Sequence, residues 1–278
     1  MPRKVVISGK GGIGKSTLTT ILAQLAVRAG QRVLQVGCDP KHDSCAHQGG
    51  PVEPVMSYLA TRGRLSSADL ERLIVRGRAG VDCLEIGGPE PGVGCAGRAI
   101  NLVLDLMRET SGFLDRWDLI IYDLLGDVVC GGFAAPMRTG KDSAIYIVLS
   151  GEVAPIYAGN NIARGIVNLA RRGGGRLAGL LLNRRGTPGE DELADTFAQA
   201  IGTRVVGRIP RDDAVVLAEL RDTTVVEAFP DSPAGLACAQ AVEALLATGP
   251  DDLVIPTPLE DAQLQALLES HLRKVVEG

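Results

Sequence analysis

Gly9-Lys10-Gly11-Gly12-Ile13-Gly14-Lys15-Ser16 decides the reading of this chain. It follows the apolar run Lys4 to Ser8 and leads into a helical pattern over Ser16 to Ala29, the strand-loop-helix setting that the pattern G-x-x-x-x-G-K-S/T requires. Glycines let the backbone N–H groups from Gly9 to Ser16 and Thr17 curl around phosphate oxygens, and the helix N-terminus adds partial positive charge. Lys15 is placed to reach terminal phosphates and Ser16 to hold Mg²⁺. Lys10 is a second lysine, early in the loop, where an ordinary phosphate loop needs no cation. This is the deviant form of the Walker A motif, and a cation there offsets charge that develops in phosphoryl transfer.

Outward from the loop, apolar runs of strand length recur at Arg32 to Gly37, Val81 to Ile86, Leu119 to Asp123, Ala144 to Leu149, Leu177 to Leu182 and Arg204 to Ile209. Helical patterns lie between them, at Ser67 to Arg76, Arg98 to Glu109, Ile156 to Arg171, Glu190 to Ala200 and Pro233 to Ala247. The strands are continuously apolar, which predicts an α/β fold: a mainly parallel sheet flanked by helices on both faces, a single P-loop NTPase domain of the deviant Walker A type over residues 1–248. From Thr248 the composition shifts to Pro and Asp, then to a last helical pattern, Leu259 to Val276. Residues 249–278 read as a tail packed on the domain or on a dimer partner.

Composition narrows the function classes. Formal net charge is −4 with 22% charged residues, and aromatics are only 3%, so neither a nucleic-acid surface nor an aromatic stacking platform is indicated. No signal-peptide stretch and no bilayer-length apolar run is present, which reads as a soluble cytoplasmic protein without a membrane partner. In that compartment the six cysteines, Cys38, Cys45, Cys83, Cys95, Cys130 and Cys238, are not expected to form disulfides.

Ligands of such sheets bind beyond the carboxyl ends of the strands, so the loops after strands carry the next candidates. Gly37-Cys38-Asp39-Pro40-Lys41-His42-Asp43-Ser44 offers Asp39 and Asp43 to the γ-phosphate and its water, with Asp39 the better general base and Lys41 beside it. Asp123-Leu124-Leu125-Gly126-Asp127 follows a strand of Walker B character: Asp123 suits Mg²⁺ binding through water, and the Gly126 N–H suits the γ-phosphate. An acidic residue that ends a strand is also a common helix cap. Cys95 and Cys130 stand apart from the other cysteines in glycine-rich loops, Gly92 to Arg98 and Asp127 to Phe133, where backbone N–H groups can point at sulfur. Isolated thiols are as commonly structural.

The segments Gly9 to Ser16, Gly37 to Ser44, Gly94 to Arg98, Asp123 to Phe133, Ser150-Gly151-Glu152 and Asn160-Asn161-Ile162 resemble the nitrogenase iron protein family across essentially the whole chain. The resemblance implies a homodimer holding one 4Fe-4S cluster, ligated by Cys95 and Cys130 of each subunit, with MgATP or MgADP in each. It implies that Lys10 reaches across to the partner's nucleotide, and that Asn183, Pro210, Arg211 and Asp212 surround the adenine, positions otherwise readable as ordinary turn chemistry. A ferredoxin or flavodoxin would reduce the cluster, and ATP hydrolysis would drive an electron to a large catalytic metalloprotein component. Arg98 would lie on the docking face, where the matching arginine of some relatives is ADP-ribosylated.

The chain departs from that pattern at His42, at Cys45, and over Ala46-His47-Gln48-Gly49-Gly50, which lacks the expected apolar residues; Val216 stands where a glutamine is common. His42 resembles the iron protein of light-independent protochlorophyllide reductase. The mixture fits a nitrogenase-like reductase of another substrate, a methylthio-alkane or a nickel tetrapyrrole being examples. Two rivals share the phosphate loop: a partition or positioning ATPase without a cluster, and a cluster scaffold ATPase, although the close C-x-x-C pair of the latter is missing.

Overall fold

The computed structural model describes residues 2–88, 96–124, 135–138 and 140–277. Strand β1 (Arg3–Gly9) is followed by helix α1 (Lys15–Arg28) and β2 (Val33–Cys38), then by α2 (Val55–Arg62), α3 (Ser67–Leu73), β3 (Val75–Arg76) and β4 (Asp82–Glu85). After α4 (Ala96–Glu109) come β5 (Leu119–Leu124), β6 (Ala144–Leu149), α5 (Val153–Ala170), β7 (Arg176–Asn183), α6 (Glu190–Ala200) and β8 (Val205–Ile209). Helices α7 (Asp213–Glu219), α8 (Val225–Ala228), α9 (Pro233–Ala247) and α10 (Asp261–Glu277) complete the chain.

The strands form one sheet in the order β3-β4-β2-β5-β1-β6-β7-β8, parallel throughout except at the β3 edge. Alternate side chains of a strand point to opposite faces, so β1 sends Val6 into one apolar layer and Val5 and Ile7 into the other. The first layer packs on α4, α5 and α6 through Ile100, Ile156 and Phe197; the second packs on α1 and α9 through Ile21, Leu22, Ala241 and Leu245. Burying each such leucine or isoleucine contributes roughly 1.5–3 kcal/mol. β1 lies centrally between β5 and β6, with β2, β3, β4 and β5 on one side and β6, β7 and β8 on the other, and the carboxyl end of such a switch strand is where open α/β sheets bind ligands.

The structure differs from the sequence reading at the edge. The helix expected over Ser67 to Arg76 stops at Leu73: Ile74 turns extended (φ −77°, ψ 118°), and Val75 and Arg76 pair antiparallel with Cys83 and Asp82, closed by an Arg76–Asp82 ion pair at 2.8 Å. Two β-branched residues in succession favour that switch. In the turn from Arg171 to Arg176, Arg171 and Arg172 are exposed, Arg176 is half-buried, and Gly174 and Gly175 are buried. Residues 250–277 lie against the sheet domain: Val254 bridges Leu177, the Asn160 amide holds both backbone groups of Leu259, Leu264 is buried, and Lys274 pairs with Glu192 on α6. No helix among the described residues is long and apolar enough to cross a membrane.

Candidate nucleotide-binding site

The loop from Gly9 to Gly14 joins β1 to α1 over the carboxyl edge of the sheet. Gly14 takes the left-handed conformation (φ 94°) and no side chain caps α1 there; nor does the first turn carry an acidic residue. The positive end of the helix dipole thus faces an anion site. A Cβ on Gly14 would fall 2.6 Å from the Asn183 amide nitrogen, which itself donates to the Ile13 carbonyl at 2.8 Å. The close approach of β7's end to the loop therefore needs glycine. Lys15 is buried and folds its ammonium back on the Lys10 carbonyl at 3.0 Å, within the loop that phosphates would occupy.

Ser16 opens α1 beside Asp123 at the end of β5. Asp123 is 1% exposed, and neither carboxylate oxygen makes a hydrogen bond. Burial pushes its pKa up, against the pull of the nearby Ser16 and Ser44 hydroxyls and the Lys15 ammonium. A buried carboxylate left without partners costs several kcal/mol unless a cation or water satisfies it. Ser16 and the orphaned oxygens of Asp123 fit Mg²⁺ with its waters. Among the described residues no group of three or more His, Cys, Asp or Glu is placed to hold a metal ion.

Asp39 and Asp43 stand in the segment after β2. The Asp39 carboxylate accepts the Lys41 N–H at 2.9 Å, and His42 closes the turn with a positive φ of 47°. Lys41, His42 and Asp43 are exposed, whereas Ser44 and Cys45 are buried. Asp39 adds negative charge at Asp123, and Asp43 does so at Glu85. Sequence reasoning missed Glu85. It ends β4 at 1% exposure, accepts the Cys45 N–H at 2.6 Å on Oε1, and leaves Oε2 without a partner. Burial above all pushes its pKa to about 7. Four acidic residues thus gather where β2, β4 and β5 end.

On the opposite side of the loop a cavity of about 370 Å³ brings together Gly12, Gly14, Thr17, Asn183, Pro210, Arg211 and Asp212, with Val216 and Glu219 on its wall. Thr17 donates to Glu219 at 2.9 Å, and Arg185, which the sequence reading overlooked, donates to the Gly12 carbonyl at 2.9 Å. The Asp212 carboxylate accepts the N–H groups of Ala234 and Ala214, which hold its pKa down. It therefore pins α7 to the start of α9. Lys10 lines a separate groove against Val153, Tyr157 and Asn161 of α5.

Gly126, Asp127, Cys95 and Cys130 lie outside the described residues. Arg98 is exposed in the first turn of α4, and Cys95 immediately precedes that helix in sequence. The other four cysteines are buried in the core: burial pushes the Cys38 thiol up and the Cys238 thiol to about 12, and contact with the Cys83 thiol raises that of Cys45 further than burial does.

Residues 3–273 match the model of the family described as 4Fe-4S iron sulfur cluster binding proteins, NifH/frxC family. The chain belongs to the NifH/frxC family. Among solved structures it is similar to the septum site-determining protein MinD complexed with Mg-ADP from Pyrococcus horikoshii OT3, at TM-score 0.70 and 20% identity over 88% of this chain and 96% of that one. It is also similar to a ParA family ATPase from Chlorobium tepidum TLS, at TM-score 0.67 and 17% identity over 88% and 99%. A third likeness is to cobyrinic acid a,c-diamide synthase from Mycobacterium smegmatis with bound ADP and magnesium, at TM-score 0.64 and 18% identity over 88% and 94%. Family and fold together make this NifH/frxC chain a P-loop ATPase.

Proposed function

We propose that this NifH/frxC-family chain is an ATP-dependent electron donor. As a homodimer it would pass low-potential electrons from a 4Fe-4S cluster to a nitrogenase or nitrogenase-like catalytic metalloprotein. The observation that carries the reading is the match of residues 3–273 to a family of 4Fe-4S cluster binding proteins. The family resemblance implies Cys95 and Cys130 as the ligands, and an isologous dimer presents such a pair twice. The cluster, when bound, supplies the one-electron chemistry, received from a ferredoxin or flavodoxin.

The protein's own residues supply the drive. Lys15 and the α1 N-terminus hold the phosphates, Ser16 and Asp123 hold Mg²⁺ and its water, and Asp39 takes a proton from the attacking water. Asp43 and Lys41 adjoin it in the same loop. Lys10, in its groove beside α5, would extend to the nucleotide of a second copy and offset charge in phosphoryl transfer. The purine would lie in the cavity of Asn183, Pro210 and Arg211. Cys130 follows Asp123 by seven residues, so the Gly126 and Asp127 segment is short enough for γ-phosphate loss to reach the cluster ligand.

A second reading, a partition or positioning ATPase without a cluster, is favoured by the likeness to the MinD and ParA structures, which by itself speaks only of fold. Trapping the protein anaerobically with ADP and aluminium fluoride in its native extract separates the two. Capture of a two-subunit metalloprotein by an iron-containing dimer supports electron donation. Capture of division or partition proteins by an iron-free dimer supports the second reading.

A further inference from the structure

Beneath the loop that carries Asp39 and Asp43 the core is polar where an apolar layer is expected. Thr20 and Gln24 of α1, Gln35 of β2, Ser44, Gln48 and Thr224 are each at most 4% exposed. They form one continuous hydrogen-bonded ladder. The Gln35 amide nitrogen donates to the Ser44 carbonyl at 2.8 Å and to its hydroxyl oxygen at 3.1 Å, and Thr20 donates to the same carbonyl at 2.9 Å. Gln48 donates to the Gln35 carbonyl oxygen at 2.8 Å, Gln24 to that of Gln48 at 3.2 Å, and Gln24 also to the Glu227 carboxylate at 3.3 Å. Thr224 donates to the remaining oxygen of Gln24.

The direction of every amide in this ladder is determined. A backbone carbonyl and a carboxylate only accept, so the amide nitrogen of Gln35 must face Ser44 and that of Gln24 must face Glu227. Gln48 between them then has a single orientation. One consequence reaches the site: the Gln35 amide nitrogen lies within reach of the Ser44 carbonyl, the Ser44 hydroxyl oxygen and, at 3.1 Å, the Thr20 hydroxyl oxygen, so it ties the Ser44 segment to α1, and the Ser44 hydroxyl in turn opposes the rise of the Asp123 pKa. Thr20 stands one helical turn after Ser16 on α1, so Ser16 and Ser44 are set in register on the two sides of that carboxylate. The far end of the ladder lies on α8, just after α7, whose Glu219 holds Thr17 at the base cavity.

We infer that Gln35 is a positioning residue of the Mg²⁺–nucleotide site, holding Ser44 and its loop against Asp123 through the Gln24–Gln48–Gln35 ladder. This rests on the nucleotide reading given above. Gln48 stands in the stretch where the sequence departs from the family pattern, and there it links Gln35 beneath the acidic loop to Gln24 and, through it, to Glu227 of α8.

Two variants test it, Gln35→Leu and the triple Gln24→Leu/Gln35→Leu/Gln48→Leu, by thermal melting of the metal-free protein, with ADP and EDTA, and with ADP over a Mg²⁺ titration. Gln35→Leu orphans buried partners and lowers the metal-free midpoint. The triple variant removes all three amides together and restores most of it, as replacing both partners by apolar groups is nearly neutral. In both variants the Mg²⁺ concentration for half the ADP-dependent shift rises by about tenfold, the order that one hydrogen bond is worth, while the shift in EDTA keeps its wild-type size. A triple variant with the wild-type Mg²⁺ dependence would reduce the ladder to core filling and overturn the inference. Equal loss of the EDTA shift would overturn it too, because the base cavity and not the metal site would then be affected. A wild-type protein that no adenine nucleotide stabilises would instead overturn the nucleotide reading, and the role of the ladder with it.

Discussion

Replacing Glu85 by glutamine removes a titrating group from the floor of the acidic cluster while keeping an oxygen for the Cys45 N–H. In the folded protein burial raises the Glu85 pKa from 4.5 to about 7. The folded state therefore holds a proton that the unfolded chain has released, and stability falls as pH rises from about 4.5 to about 7, then levels. The whole displacement is worth about 3 kcal/mol, of which about 2 is already lost at pH 6 and about 1 more goes between pH 6 and 8. Urea unfolding of the metal-free protein at half-unit steps from pH 5.5 to 8.5 reads this directly. Wild type loses about 2 kcal/mol over that range relative to Glu85→Gln from this group alone, and the variant gains most at the alkaline end. Parallel curves for the two proteins would refute a raised Glu85 pKa and the close packing behind it.

Gly14→Ala meets both a left-handed backbone and the Asn183 amide 2.6 Å away, so it should abolish adenine-nucleotide binding in a calorimetric titration, while Gly30→Ala, equally left-handed (φ 87°) but with open space around its Cβ and outside the phosphate loop, costs stability and retains binding. Cys38, Cys45, Cys83 and Cys238 should resist alkylation in the native state and react only in denaturant; mass spectrometry that finds modified Cys38 or Cys238 in the folded protein would contradict their burial. Arg98→Glu, on an exposed turn of α4, should leave nucleotide binding and iron content unchanged but slow electron delivery to the trapped partner by tenfold or more, the order expected for reversing a charge at an interface.

Much of the fold is legible because its signals are local. The phosphate loop sets strand, turn and helix within a few residues, and long apolar runs such as Ala144 to Leu149 coincide with their strands. The short elements are not legible. β3 has only two residues, too few for a strand pattern to show before it pairs antiparallel with β4 just downstream; α2, α7 and α8 are too brief for a helical period to show. At the site, Asp123 is readable because a carboxylate ends an apolar strand. Glu85 is not: it ends a strand in the same way, but its burial against Gly37 and its bond to Cys45 arise only when β2 and β4 pair. The glutamine ladder is still less visible, since Gln24, Gln35 and Gln48 look like solvent-facing residues until α1, β2 and the segment after Ser44 pack together.

The most direct test of the account is iron and sulfide analysis, with electron paramagnetic resonance, of the anaerobically purified homodimer and its Cys95→Ala and Cys130→Ala variants. The account predicts one reducible 4Fe-4S cluster per two chains, lost in either variant while MgADP binding persists. An iron-free wild type that dimerises on ATP and is indifferent to both substitutions would contradict it and leave the cluster-free positioning ATPase in its place.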